Sequence, residues 1–365
     1  MLNVDVEADR RDFTVRAAFD VADGERVALF GPSGAGKTTV LEVIAGLVEP
    51  RSCRIELGGR TLTSTGSPRV AVPPWERRVG LLRQDPGLFP HLSVRANLTY
   101  ARSARAQARR RGTPGGPAAG VQLTEIASSL GIEGLLAAMP ARLSGGQRHR
   151  VALGRLLLAR CDALLLDEPF ASLDAALRRS LTALVKDLSS QRSVPSVLVT
   201  HQLSDAQAFA DRLLVMDAGA ILQAGAPDEV VLRPASRRVA ELVGYLGFVP
   251  VDGAARAPGA NADESVPGVA GQSGPAGVVA GVHPDRVLAG ADPARGLVVT
   301  GTVTAARPSG AGWEADLLVG DAPFTGRLPS RLDGAQVVVT LLDPPYFGRD
   351  GALLREDRSW SANPA

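Results

Sequence analysis

Eight residues, GPSGAGKT (Gly31–Thr38), restrict the possible folds of this chain more than any other stretch. They follow a short apolar β-type run, RVALFG, and lead into TTVLEVIAGL, whose apolar residues recur at helical spacing. The pattern is G-x-x-x-x-G-K-[ST], placed between strand and helix as its mechanics require. Glycines at 31, 34 and 36 let backbone N–H groups turn inward around an anion, and the start of the helix adds its positive dipole end. The loop Gly31, Pro32, Ser33, Gly34, Ala35, Gly36, Lys37, Thr38 and Thr39 is therefore expected to hold the phosphates of ATP. Lys37 would reach the β- and γ-phosphates, and the Thr38 hydroxyl would take a place on Mg²⁺. Of 40 Lys and Arg residues only Lys37 and Lys186 are lysines, so a compact point charge stands at the one place where such a loop needs it.

Two further apolar runs, ALLLDE at 163–168 and SVLVTH at 196–201, each follow a segment of helical character, VALGRLLLAR and ALRRSLTALVKDLSSQ. Strands alternating with helices imply an α/β fold with a mainly parallel sheet. RLLVMDAG turning at Gly219 into AILQAG reads as an edge hairpin. From Pro90 to Pro140 the chain shifts to Ala, Arg and Leu with helical periodicity, a helical insertion broken by RRRGTPGGPAAG at 109–120, whose arginines read as a solvated face. The Gly/Pro/Ala tract at 250–277 reads as a flexible linker. Beyond it, LVVTGTVTAA, WEADLLVG, FTGRL and AQVVVTLL predict a small all-β domain of five or so strands at 278–355.

In LLLDE the apolar residues bury a strand and leave Asp167 and Glu168 at its C-terminal end, where open α/β sheets bind ligands. Asp167 would hold Mg²⁺ through water, and Glu168 would polarise the attacking water as general base. Gln84 and His201 carry little information by themselves. A formal charge of +2 argues against a nucleic-acid partner. Cys53 and Cys161 have no metal or redox spacing and read as reduced core fillers. The first residues are acidic and predict no signal peptide, and no apolar run approaches the roughly 20 residues of a spanning helix.

Taken in order, the phosphate loop, Gln84, LSGGQ (Leu143, Ser144, Gly145, Gly146, Gln147), LLLDEP, SLD and His201 resemble the nucleotide-binding subunits of ATP-binding-cassette (ABC) transporters over residues 1 to about 245. The resemblance implies a P-loop ATPase with a helical subdomain at about 88–158, followed by an oligonucleotide-binding-like accessory (TOBE) domain. It implies that LSGGQ meets the γ-phosphate held by a second, head-to-tail copy, that Ser172 and Asp174 communicate across that homodimer, and that His201 contacts the γ-phosphate. Gln84 would join the Mg²⁺ site to the helical subdomain, which receives a membrane permease. An extracytoplasmic binding protein would act through the permease, and the chain would lie peripherally on the cytoplasmic face of the membrane. Where the family stacks adenine on an aromatic residue, residues 1–12 hold none, and Phe13 reads as core.

PPWERRVGLLRQDPGLFPHLSVRANLTY and SLGIEGLLAAMPARLSGGQ are most similar to the molybdate subgroup of importer ATPases. Sulfate, ferric iron, polyamine and sugar importers remain open as alternatives. A soluble ABC ATPase of DNA repair or translation is the reading from a different class, disfavoured by the short insertion and the near-neutral charge.

Overall fold

Apolar residues at every second position of LNVDVEAD and TVRAAFDV give strands β1 (Leu2–Asp9) and β2 (Thr14–Val21), each with one face in the core and one toward solvent. In the computed structural model, which describes residues 1–10, 13–100, 123–171, 173–250, 279–290, 296–310, 312–328, 337–342, 344–347 and 350–353, they form an antiparallel hairpin with Asp9 opposite Thr14. The chain divides by its contacts into two units, Met1–Pro227 and Asp228–Ala365.

The first unit is built on an 11-stranded sheet. Its strands are β1, β2, β3 (Arg26–Phe30), β4 (Ser52–Leu57), β5 (Arg60–Ser64), β6 (Val70–Ala71), β7 (Val79–Leu82), β8 (Ala163–Asp167), β9 (Ser196–Thr200), β10 (Arg212–Asp217) and β11 (Ala220–Gly225), in the spatial order β6-β5-β4-β1-β2-β11-β10-β3-β9-β8-β7. From β10 to β7 all neighbours are parallel. From β6 to β2 all are antiparallel. The sheet is thus mixed where the sequence suggested a mainly parallel one, because that expectation came only from the continuous apolar runs and passed over the alternating ones. Nor is the β10–β11 hairpin at an edge: Ala220 of β11 pairs with Arg16 of β2, joining the two halves of the sheet.

Helix α1 (Lys37–Ala45) starts at Gly36, with φ 101°, and stops at Gly46, with φ 78°, both left-handed conformations that suit glycine. Residues 94–100 (α2), Leu123–Ser129 (α3) and Gly145–Leu158 (α4) pack together at Gly154, where an added Cβ would lie 2.7 Å from Leu130 and 2.8 Å from Leu98. This is the described part of the helical insertion; its Arg/Gly/Pro turn at 109–120 and the linker residues 251–277 lie outside the described residues. Helices α5 (Ala175–Arg192) and α6 (Leu203–Phe209) complete the unit. Neither cysteine forms a disulfide; Cys53 is buried and Cys161 half-buried.

The second unit contains helices α7 (Pro227–Leu232) and α8 (Arg237–Leu242), a three-stranded sheet that includes Phe248–Pro250, and a five-stranded antiparallel sheet built around Gly296–Ser309. Val249, Val282, Val299, Leu317, Phe324 and Leu341 are among its core residues. Its helices and Phe248 and Val249 of that strand come from residues ahead of the Gly/Pro/Ala tract, whose first residue, Pro250, ends the strand.

Arg77 fixes α1 from its far end. The side chain is 5% exposed, donates from Nε to the Val72 carbonyl (2.8 Å) and from Nη1 to the carbonyls of Val43 (3.2 Å) and Ile44 (2.8 Å). These last two acceptors lie in the terminal turn of α1, where carbonyls lack partners within the helix. Burial lowers the Arg77 pKa, and no carboxylate is paired with it among the described residues. Arg77→Leu is expected to destabilise the first unit by about 2 kcal/mol, since three carbonyls, two of them in buried contacts, lose a charged donor. Gly46→Ala, whose Cβ would meet the guanidinium at 2.4 Å, is expected to cost at least about 1 kcal/mol. Urea unfolding followed by circular dichroism measures both.

Candidate active site

Parallel register brings three loops to one edge of the sheet. Phe30 at the end of β3 lies opposite Thr200 at the end of β9, and Val199 lies opposite Asp167 at the end of β8. The loop from Gly31, the Glu168 backbone and His201 therefore leave adjacent strands at the same level, outside the carboxyl ends. Gly31 allows the first turn: a Cβ there would lie 1.9 Å from the Met216 carbonyl oxygen. Ala35 accepts from the Gly219 N–H at 3.1 Å, tying the loop to the β10–β11 turn.

Lys37 is 7% exposed and its ammonium donates to the carbonyls of Gly31 (2.8 Å) and Pro32 (2.7 Å). The Thr38 hydroxyl donates to Asp167 Oδ2 at 3.0 Å, and Asp167 is 4% exposed. Burial lowers the Lys37 pKa, opposed by the charges of Glu168 and Asp167. Burial raises the Asp167 pKa, with Thr38 and Lys37 acting in the opposite direction and Glu168 adding to the rise. The arrangement holds one cation and two anions in a poorly hydrated space, a field that favours an incoming phosphate–metal pair over either charge alone. Thr38 Oγ1 and Asp167 Oδ2 are hard oxygen donors of the kind that suit a Mg²⁺ ion with few protein ligands.

Glu168 occupies a left-handed conformation, φ 50°, which is costly for a non-glycine residue. Its N–H donates to the Val199 carbonyl at 3.0 Å. Its Oε1 lies 2.7 Å from His201 Nδ1 and accepts from the His201 N–H at 3.1 Å, while Oε2 accepts from the Thr200 hydroxyl at 3.5 Å. The imidazole and the end of β9 thus aim the carboxylate that the strained backbone presents.

Among the described residues, no hydrogen bond joins the other expected site residues to this cluster. Gln84 follows β7 and is exposed; among the described residues no hydrogen bond joins it to Thr38 or Asp167, although Arg83 beside it pairs with Glu42 of α1 at 3.1 Å. Leu143 precedes α4, and Ser144 caps it. The Ser144 hydroxyl accepts from the Gln147 N–H (3.2 Å) while the Gln147 side chain accepts from the Ser144 N–H (2.8 Å), with Gly145 and Gly146 in the first turn between them. The capping box is legible in the sequence as S-x-x-Q, a signal the sequence analysis above does not use. Asp174 caps α5, accepting from the N–H groups of Leu177 (2.9 Å) and Ala176 (3.0 Å), which lower its pKa. Ser172 lies outside the described residues. Phe13 packs partly buried against the core, while Arg10 at the same hairpin donates to the Thr39 hydroxyl at 2.7 Å, a contact with no local signal in the sequence.

The ABC transporter family profile matches residues 15–171. The molybdenum import ATP-binding protein ModC of Mycobacterium tuberculosis (strain H37Rv) is 40% identical over 256 residues, which cover 69% of this chain and 67% of that protein. The chain belongs to the ABC transporter family. Its relatives include the trehalose/maltose import ATP-binding protein MalK of Thermococcus litoralis, 38% identical over 64% of this chain, a match that spans 60% of MalK's length. A solved structure of an ATP binding subunit of an ABC transporter superposes with a TM-score of 0.52 at 26% identity, covering 67% of this chain and 95% of that one. The antiparallel β unit of this ABC family member is consistent with a TOBE-like accessory domain. Among its described residues no helix is long and apolar enough to cross a membrane.

Because burial raises Asp167 above its unfolded value, the folded chain binds the extra proton between those two values. Stability therefore falls as pH climbs through that window, and the full cost is present above it. Asp167→Asn is expected to stabilise the ligand-free protein by about 1 kcal/mol at pH 7. The advantage should shrink as pH falls toward the unfolded carboxyl pKa, as read by urea unfolding across that range.

Proposed function

We propose that this chain is the ATP-hydrolysing subunit of an ABC importer, working as a head-to-tail homodimer on the cytoplasmic face of a membrane-embedded permease. The observation that carries the reading is the Glu168 carboxylate, held by His201 beside the phosphate loop and next to the Thr38–Asp167 pair. Lys37 would give up its loop carbonyls for the β- and γ-phosphates. Thr38 and Asp167, with Gln84 drawn in, would hold Mg²⁺, which supplies charge neutralisation on the phosphate oxygens. Glu168 would accept the proton of the attacking water while His201 keeps its carboxylate oriented. Ser144, Gly145, Gly146 and Gln147 would complete the pocket of the facing copy, with Ser172 and Asp174 at the seam. Closure of the dimer around ATP would be favoured by contacts made only in the closed state, and hydrolysis would remove them.

Molybdate is the cargo favoured by the molybdate-like wording around Gln84 and LSGGQ and by the ModC relative. The near-equal identities of relatives that import trehalose/maltose, sulfate/thiosulfate and Fe(3+) keep sulfate, ferric iron, polyamines and sugars as alternatives. An extracytoplasmic binding protein would deliver the cargo to the permease.

Glu168→Gln is expected to retain ATP binding while turnover drops about 100-fold or more, and to accumulate as an ATP-bound dimer in size-exclusion chromatography. Undiminished turnover would refute the general-base role. In the complex reconstituted with its permease and binding protein, molybdate is expected to stimulate ATP turnover where maltose and sulfate do not.

A further inference from the structure

Arg178 stands four residues into α5 and joins two loops that the candidate active site uses. From Nη1 it donates to Gln202 Oε1 at 2.6 Å and lies 3.6 Å from Asp205 Oδ1; from Nη2 it donates to the Leu173 carbonyl at 3.3 Å. Leu173 belongs to the segment that runs into the Asp174 cap of α5. Gln202 directly follows His201 and begins α6, with Asp205, 4% exposed, in that helix's first turn. One planar cation thus clamps the segment before α5 to the loop that aims Glu168. The connection continues from Gln202, whose N–H donates to the Thr200 hydroxyl at 3.0 Å, and from there to Glu168 Oε2.

The clamp is electrostatically close to the site. Asp205 is raised by burial and lowered by Arg178, and it also feels the charges of Glu168 and His201. It is also incompletely paired: Arg178 Nε is buried without an acceptor among the described residues. An unsatisfied buried donor is a standing cost that a shift of the fork toward another acceptor relieves. A lysine in this place would supply charge without the rigid fork that makes the position of Leu173 felt at Gln202.

We propose that Arg178 is a positioning residue for the Glu168–His201 pair, tying the setting of that pair to the segment ending in Asp174. The inference rests on the ATPase reading above and adds to it a route by which whatever meets that segment changes the aim of Glu168.

Gln202→Leu cuts the link at its far end and leaves the Arg178–Asp205 pair in place, so it tests the clamp without exposing a buried charge. Gln202→Glu keeps an acceptor, and Arg178→Lys keeps the charge without the fork. In the full chain, Gln202→Leu and Arg178→Lys are expected to lower kcat for ATP about tenfold with KM within about twofold, and Gln202→Glu to retain most of the parent rate. Amide hydrogen exchange supplies a second readout that needs no turnover. The N–H groups of His201 and Gln202 should exchange about tenfold faster in Gln202→Leu, while Val197–Val199 keep their protection. Unchanged exchange at His201 and Gln202, a kcat within about twofold of the parent, or equal loss of protection throughout β9 would each overturn the proposal. A parent chain without ATP turnover would sink the ATPase reading, and the exchange experiment would still decide the clamp.

Discussion

The site depends on the register of three parallel strands. Phe30, Thr200 and Asp167 end their strands at one level because β3, β9 and β8 pair without a bulge, each of them almost wholly apolar and buried. A one-residue slip in any of them would turn its apolar residues to the opposite face and carry its loop away from the other two. The hydrophobic core that fixes the register is therefore also what fixes the distance from Lys37 to the carboxylates. Arg77 secures the other end of the same assembly, so α1 is anchored by glycines and a strand at its start and by a guanidinium at its end.

Against that rigid frame, the charged groups are held in conditions they resist. Lys37 and Asp167 are nearly excluded from water, each with its pKa pushed toward the neutral form and each partly rescued by the other. Glu168 adds backbone strain. Tension of this kind concentrated at the end of an otherwise well-packed sheet is what a site looks like when its partner charges come from a ligand.

The phosphate loop, the carboxylate pair and the alternation of buried strands with helices were legible in the sequence because each is local: a run of neighbouring residues and its period. The antiparallel half of the sheet was legible in principle, since LNVDVEAD and TVRAAFDV alternate cleanly, but continuous apolar runs carry a stronger signal and drew the reading toward a parallel sheet. What no local pattern shows is a partnership between distant residues. Arg77 beneath α1, Arg10 on Thr39, and Arg178 between Leu173 and Gln202 look like surface arginines in a chain with many of them. Only the fold converts them into clamps. The left-handed backbone at Glu168 was equally hidden, because nothing in the residue type announces it.

The reciprocal bonds between Ser144 and Gln147 bear on how fast α4 would meet the phosphate that the proposed dimer brings to it. With each side chain accepting from the other residue's backbone N–H, the turn at Gly145 and Gly146 is wound before anything arrives. In the proposed dimer that phosphate would meet a finished turn and need not wait for a coil to become a helix. Recognition at this end of α4 should then be governed by diffusion and charge, and should weaken steeply as added salt screens the approach.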